Sequence, residues 1–241
     1  MKMVLLCVFL LKFLGCVYAS EDVVFGVSEL GVMQALEGVK NFETQKAALQ
    51  TLESALDLES LSPRLKMLSV WEISFRTPKT ESSNTRFLRF LESISASRTD
   101  WQTKFDATMS QLYFTVKPGP RIEIVERLLE IARVSPEVGI KFQALDKALK
   151  EGLPVQQTAA LDYLILIIEC PHPIEVKIKA LDMIVRQQSL GVVEALAKLF
   201  EIAKNKRFKK EARKEALNII LSSLSLLPSE REWAHELLYE L

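Results

Sequence analysis

A thiol and an imidazole lie close together in the sequence at one place, Cys170-Pro171-His172-Pro173. A cysteine nucleophile needs a histidine base that faces it across space, with a third group that orients the base. Here the two side chains are two residues apart in a stretch that prolines stiffen. We therefore interpret the stretch as a turn between helices, and a helical enzyme that uses Cys170 with His172 stays an alternative.

No other pattern predicts catalysis or a cofactor. A metal site needs three or four ligands, and the sequence has no such set at ligand spacing. The acid pairs Glu53/Asp57 and Glu232/Glu236 have the four-residue spacing of exposed helix faces. Gly119 stands alone between prolines, so a glycine-rich phosphate loop is also absent. We predict no catalytic residue, no metal, no cofactor and no small-molecule substrate.

The most highly charged run of the chain lies between residues 204 and 214, where Glu211 is the only acid. Such a run is typical either of a solvated loop between helices or of a surface for an anionic partner, such as an acidic protein, phospholipid headgroups or a polyanionic glycan. Cations at a helix N-terminus oppose the helix dipole, which favours a binding role. Nucleic acid is not expected, because the chain has no net charge. We predict that a partner binds to these cations, called the basic segment: Lys204, Lys206, Arg207, Lys209, Lys210, Arg213 and Lys214.

A repeat with a period of 36 residues predicts the elements that carry these side chains. Its three copies are Ile140–Asp146, Val176–Asp182 and Ala212–Asn218, and an apolar helix pattern precedes each copy in the same register. The unit is therefore helix, turn, helix. One such pair cannot bury its apolar stripe alone, whereas stacked pairs can. The small residue and the leucine after it recur in every copy, as Ala144-Leu145, Ala180-Leu181 and Ala216-Leu217.

A cation and a polar residue also recur, five positions apart, in each copy. Five residues correspond to about 140° around a helix, so the two cannot pair within one helix. We expect them to pair between neighbouring repeats as ladders. The cations are Lys141, Lys177 and Arg213, and the polar residues are Asp146, Asp182 and Asn218.

The order of aliphatic residue, Lys or Arg, two variable residues, Ala, Leu and Asp or Asn resembles the second helix of a HEAT-type repeat. The resemblance covers about residues 124–224, and HEAT units are longer, at about 40 residues or more. The Trp, Leu-Gly and Tyr positions of tetratricopeptide repeats are not found. The resemblance implies an all-α solenoid of stacked antiparallel helix pairs that binds a protein partner and is not an enzyme. It does not name the partner.

Residues 1–19 resemble a signal peptide. Lys2 supplies a positive charge, an apolar run follows from Val4 to Leu11, and Val17-Tyr18-Ala19 offers a cleavage site after Ala19. We expect export to a periplasm or secretion. An uncleaved membrane anchor is one alternative, and a lipid-anchored envelope protein is another, because Leu14-Gly15-Cys16 resembles a bacterial lipobox. Cleavage leaves Cys170 as the one cysteine, which excludes an intramolecular disulfide.

We predict an irregular helical region over residues 20–118 and HEAT-like repeats over 119–241. Thr77–Asn84 is predicted to be an exposed linker and Pro118-Gly119-Pro120 a break between helices. Trp71 and Trp101 are predicted to be core anchors. Helices are predicted at 23–39, 44–58, 63–76, 86–94, 100–116, 121–134, 137–150, 154–169, 174–188, 190–204, 209–226 and 229–240.

The last of these helices is predicted to close the array. Ser229-Glu230-Arg231-Glu232 resembles a capping box, which marks a helix start. Behind it, Trp233, Leu237 and Leu241 form one apolar stripe, with glutamates on the other positions. One apolar face and one polar face are what a terminal capping helix requires.

Overall fold

The second helices of the three repeats begin at intervals of 36 residues, at Val138, Ile174 and Lys210. This is seen in a computed structural model that describes residues 28–77, 81–115, 117–187 and 191–241. Every regular element within these ranges is an α-helix. The predicted all-α, solenoid-like fold is confirmed. The predicted signal peptide and Cys16 lie outside the described residues.

The described residues form twelve helices. They are α1 Glu29–Gly38, α2 Gln45–Ala55, α3 Pro63–Arg76, α4 Glu81–Ala96, α5 Trp101–Phe114, α6 Pro118–Val134, α7 Val138–Glu151, α8 Pro154–Glu169, α9 Ile174–Gln187, α10 Val192–Lys204, α11 Lys210–Ser222 and α12 Pro228–Tyr239.

The chain forms two compact units, divided between Phe90 and Leu91 within α4. In the first unit, α1 packs on α2 and α3, and α2 packs on α3. In the second unit each helix from α5 to α12 packs on the next, and α7 and α11 also pack on α9. The pairs α6/α7, α8/α9 and α10/α11 are therefore the predicted repeats. The domain division predicted at residue 118 was drawn from the repeat pattern and stays a prediction.

Equivalent positions of the three repeats have equivalent surroundings. The alanines and leucines of the repeated pattern are all fully buried, at 0% exposure. Small alanines let neighbouring helix axes approach closely, and the leucine fills the space beside them. These residues lie in one continuous core that runs from α5 to α12. The repeat therefore reflects packing, as the sequence predicted.

Side chains in the first turn of several helices hold the end of the preceding helix. The last carbonyl groups of a helix lack partners within it, so a donor from elsewhere satisfies them. In the described part of the chain, the fourth residue of five helices donates such a bond to the end of the helix before it, at 2.8–3.3 Å. The donors are Arg121, Lys141, Gln157, Arg213 and Arg231.

This capping role shows that the predicted charge ladders are wrong. Lys141 donates to the carbonyl of Arg133 and to the hydroxyl of Tyr163 on α8, both at 3.2 Å, and not to a repeated aspartate. Arg213 donates to the carbonyl of Ala203 in the preceding helix. Asp146 instead pairs with Lys150, and Asp182 pairs with Arg186, at 2.8 and 2.7 Å within their own helices. The four-residue spacing of these pairs lets both partners lie on one helix face. The five-residue spacing of the predicted pairs places the cation and the polar residue on different faces. The cations Lys141 and Arg213 instead donate to carbonyl groups at the end of the preceding helix.

Three predicted boundaries also need correction. Pro118-Gly119-Pro120 forms the first turn of α6 and not a break. The first N–H groups of a helix have no acceptor within the helix, so a proline, which lacks the N–H, loses no hydrogen bond there. Helix α4 begins at Glu81, inside the predicted linker. Leu227, not Ser229, is the N-cap of α12, and its N–H donates to the Glu230 carboxylate at 3.0 Å.

Candidate functional site: the basic segment between α10 and α11

The basic segment spans the end of α10, the loop of residues 205–209 and the first turns of α11. The loop is held by Asn205 and Phe208. Asn205 Oδ1 accepts a hydrogen bond from the N–H of Arg207 at 3.0 Å, and its carbonyl accepts one from Phe208 at 3.1 Å. The Phe208 side chain is partly buried and packs against the core. The loop is therefore a defined turn with its cations on the outside.

Two of the seven cations make contacts that hold the fold together. The ammonium of Lys204 lies 4.3 Å from the centre of the Trp233 ring on α12, a cation–π contact. Arg213 Nε donates to the carbonyl of Ala203 at 2.8 Å and so caps α10. The predicted set of binding residues thus contains two cations that have structural partners.

The other five cations are exposed, and their side chains form no ion pair and no hydrogen bond within the described residues. Glu211, the acid among them, is also exposed and forms no ion pair with a described residue. A partner could contact all five without first breaking a bond within the protein. These free cations are Lys206, Arg207, Lys209, Lys210 and Lys214.

The position of two of the free cations costs helix stability. Lys209 is the N-cap of α11 and Lys210 is its first residue, and the Lys209 side chain makes no capping bond. A helix N-terminus carries partial positive charge, so cations there are unfavourable. The positions equivalent to Lys209 are Glu137 before α7 and Pro173 before α9. Helix α11 does carry Glu211 in its first turn, as α9 carries Glu175, but the third repeat alone among the three has lysines at the N-cap and the first helical position.

A groove also lies between α7 and α9, and its three cations, Lys150, Lys179 and Arg186, have partners, unlike the five free cations of the basic segment. Lys150 and Arg186 pair with Asp146 and Asp182, as described above, and Lys179 lies 4.9 Å from the centre of the Phe142 ring. The hydrogen bond that Arg186 donates to Asp182, together with the negative charges of Asp182 and Asp146, raises the pKa of Arg186. Two of the three cations of this groove are therefore paired with acids, and the third lies against an aromatic ring.

An open groove of about 530 Å³ lies beside the basic segment, between α10 and α12. The rings of Phe200 and Trp233 meet in it with their centres 5.0 Å apart. Lys204 belongs both to this groove and to the basic segment, which makes the two surfaces continuous. The sequence pattern places Trp233 in the apolar stripe of the capping helix and does not predict the groove. The groove-lining residues are Ala197, Phe200, Glu201, Lys204, Ser229, Glu230 and Trp233.

Cys170 and His172 lie in the turn between α8 and α9. Cys170 is the C-cap of α8 and is partly buried, whereas His172 is exposed. Backbone bonds fix the turn, since the N–H of Cys170 donates to Leu166 and the N–H of His172 donates to the carbonyl of Cys170. Within the described ranges, no group of three or more His, Cys, Asp or Glu residues could hold a metal ion.

The predicted tryptophan anchors are only partly buried. Trp101 packs against the core, and Lys104 lies 4.8 Å from the centre of its ring. Trp71 stacks on Phe75, with 5.3 Å between the ring centres, and Phe75 is itself exposed. Among the helices that the structure describes, none is long and apolar enough to cross a membrane.

No protein-family model, no curated protein and no solved structure matched this chain.

Proposed function

We propose that this chain is a non-enzymatic HEAT-like repeat scaffold that is exported and binds a protein partner through the basic segment. The free cations at the α10–α11 turn carry this proposal. Cations that cost helix stability and form no bond within the protein contribute little to folding. A role in attracting and orienting an anionic partner accounts for them, since complementary charge speeds association and fixes orientation.

The repeat architecture supports a scaffold role. Stacked helix pairs present extended surfaces made by successive helices, and such surfaces suit macromolecules better than small substrates. The HEAT-like pattern of the sequence points in the same direction. Export rests on the Lys2, Val4–Leu11 and Ala19 pattern of the N-terminal segment. Mass spectrometry of the mature N-terminus tests it, because cleavage predicts Ser20 as the first residue, whereas a lipid-modified Cys16 would contradict cleavage.

The binding proposal is tested by affinity purification of the full-length chain from its native compartment. Reversal of Lys206, Arg207, Lys209 and Lys210 to glutamate should abolish partner recovery without lowering the melting temperature, because acids at positions 209 and 210 suit the start of α11. A matched variant places the same charge change on four exposed cations elsewhere and should retain the partner. If the basic-segment variant recovers the partner as well as the wild type, the proposal is wrong. The control positions are Lys46, Arg64, Arg89 and Arg98.

A further inference from the structure

The aromatic groove and the basic segment form one continuous surface, because Lys204 contributes to both. Its ammonium lies over the Trp233 ring at 4.3 Å, while its neighbours in the chain are the free cations of the loop. The centre of the Phe200 ring lies 5.0 Å from that of the Trp233 ring. The surface therefore places an apolar depression directly beside unpaired positive charge.

We propose that this surface binds an acidic polypeptide segment, one of whose apolar side chains enters the groove between α10 and α12. The inference rests on the proposed function and adds the chemistry of the partner. Carboxylates of the segment face Lys206, Arg207, Lys209 and Lys210, and the apolar side chain packs on Trp233. Affinity at protein interfaces is concentrated in buried aromatic and apolar contacts, while the charged rim provides orientation.

The composition of the surface favours a peptide over a lipid headgroup surface. Membrane docking by a basic patch needs a second, apolar contact that can enter the bilayer. Within residues 204–214 the one large apolar side chain is Phe208, which packs inward against the core. The apolar element here is instead a depression, which receives a side chain rather than inserting one.

Two acids on the groove set the orientation of the segment. Glu201 is exposed, and Glu230 accepts the hydrogen bond from the N–H of Leu227. Both repel carboxylates from the groove itself. The acidic residues of the segment therefore lie on the side of the α10–α11 turn, and the residue that enters the groove is uncharged.

The test uses the full-length chain and a short fluorescein-labelled peptide of glutamates interrupted by two leucines, followed by fluorescence anisotropy. Binding should weaken as salt increases, because exposed charges are screened. The variant that reverses Lys206, Arg207, Lys209 and Lys210 to glutamate should bind roughly tenfold or more weakly, whereas the variant at positions 46, 64, 89 and 98 should not. A peptide with glutamine in place of glutamate should bind the wild type and both variants equally weakly.

The groove is tested with Ala197→Gln, which places a polar side chain at its exposed wall. This variant should bind the leucine-containing peptide more weakly and a peptide with serine in place of leucine unchanged. The inference is overturned if Ala197→Gln has no effect, if charge reversal has no effect, or if the chain binds phosphatidylglycerol vesicles and not the peptide. If the Ala197→Gln variant recovers a native partner as well as the wild type does, this inference is wrong but the proposed function is unaffected.

Discussion

The Nε atom of Arg213 donates a hydrogen bond to the carbonyl oxygen of Ala203 over 2.8 Å, which joins the first turn of α11 to the last turn of α10. The same relationship links α12 to α11, where Arg231 donates to the carbonyls of Leu221 and Ser223 at 3.0 Å. The fourth residue of a helix thus acts as a C-terminal cap for its predecessor. In the basic segment, this separates a cation that holds the fold from cations that are free to bind.

Replacement of Arg213 should lower stability although the residue belongs to a charged surface run. Arg213→Met leaves the Ala203 carbonyl without its donor, which should cost about 1 kcal/mol in the free energy of unfolding. Urea denaturation followed by circular dichroism measures the change. Lys214→Met removes a neighbouring exposed cation that has no bond to lose, and it should change stability by less than about 0.5 kcal/mol. Equal effects of the two substitutions would show that the cap contributes nothing.

Improved capping of α11 should stabilise the protein and weaken partner binding together. Lys209→Asp places a carboxylate at an N-cap that now has no side-chain bond, and should add about 1 kcal/mol to the free energy of unfolding. Lys206→Asp makes the same charge change within the loop, where it cannot cap the helix, and should add less. A decrease in the urea midpoint for Lys209→Asp would contradict the view that this lysine opposes helix stability.

The repeated alanines should tolerate no larger side chain. Ala180 is fully buried between helices, so Ala180→Leu should overpack the seam and lower the free energy of unfolding by about 1–3 kcal/mol. Ala159→Leu, at an exposed position of α8, provides the control and should be nearly neutral. Thermal and urea denaturation of both variants give the comparison. A neutral Ala180→Leu would mean that the helix pairs do not pack closely at this residue.

Acid should weaken the cap of α5. Asp100 is the N-cap, and its carboxylate accepts hydrogen bonds from the N–H of Thr103 at 2.8 Å and from the Thr103 hydroxyl at 2.7 Å. These bonds lower the pKa of Asp100 below its usual value. Because the pKa of Asp100 is lower in the folded protein than in the unfolded chain, the ionised carboxylate stabilises the fold. This contribution is fully present at pH values above the pKa of Asp100 in the unfolded chain, and it is lost as the pH falls through the pKa in the folded protein.

The pH dependence of Asp100 can be isolated by comparison with Asp100→Asn. The wild type should be more stable than this variant at pH 7, and the difference should shrink as the pH falls below about 4. Urea midpoints measured for both proteins across this range provide the test. A difference that is constant with pH would show that the charge of Asp100 does not contribute to the cap.

The sequence predicted the helix pairs because their pattern is a packing pattern. Ala144, Ala180 and Ala216 recur at the spacing at which the helices stack, so burial could be inferred from the sequence. The prediction of a break at Pro118 was wrong because proline is permitted in the first turn of a helix, and Pro118 begins α6. The predicted linker was too long, because the polar residues from Glu81 onward belong to helix α4.

The repeat pattern does not predict contacts between residues that are far apart in the sequence. Gln156 is almost fully buried, and its amide donates to the carbonyl of Ile122 at 2.9 Å and to the Glu126 carboxylate at 2.7 Å, which links α8 to α6. Nothing in the local sequence distinguishes it from an exposed glutamine. The groove beside Trp233 was missed likewise, since it exists only where α10 and α12 meet. The position of the basic segment was predicted, but which of its cations are free depends on Arg213 and Lys204 having partners.

Lys214 occupies the repeat position that Phe142 and Ile178 fill in the two earlier pairs, and it is exposed where they are buried. A further helix could pack on this face of α11, as helices pack in the earlier pairs, only by desolvating the ammonium group of Lys214. This is unfavourable without a counter-charge. A second molecule stacked end to end on the first would meet the same cost. We therefore expect Lys214 to oppose fibre-like self-association through this surface, much as charged side chains oppose association at the edges of β-sheets.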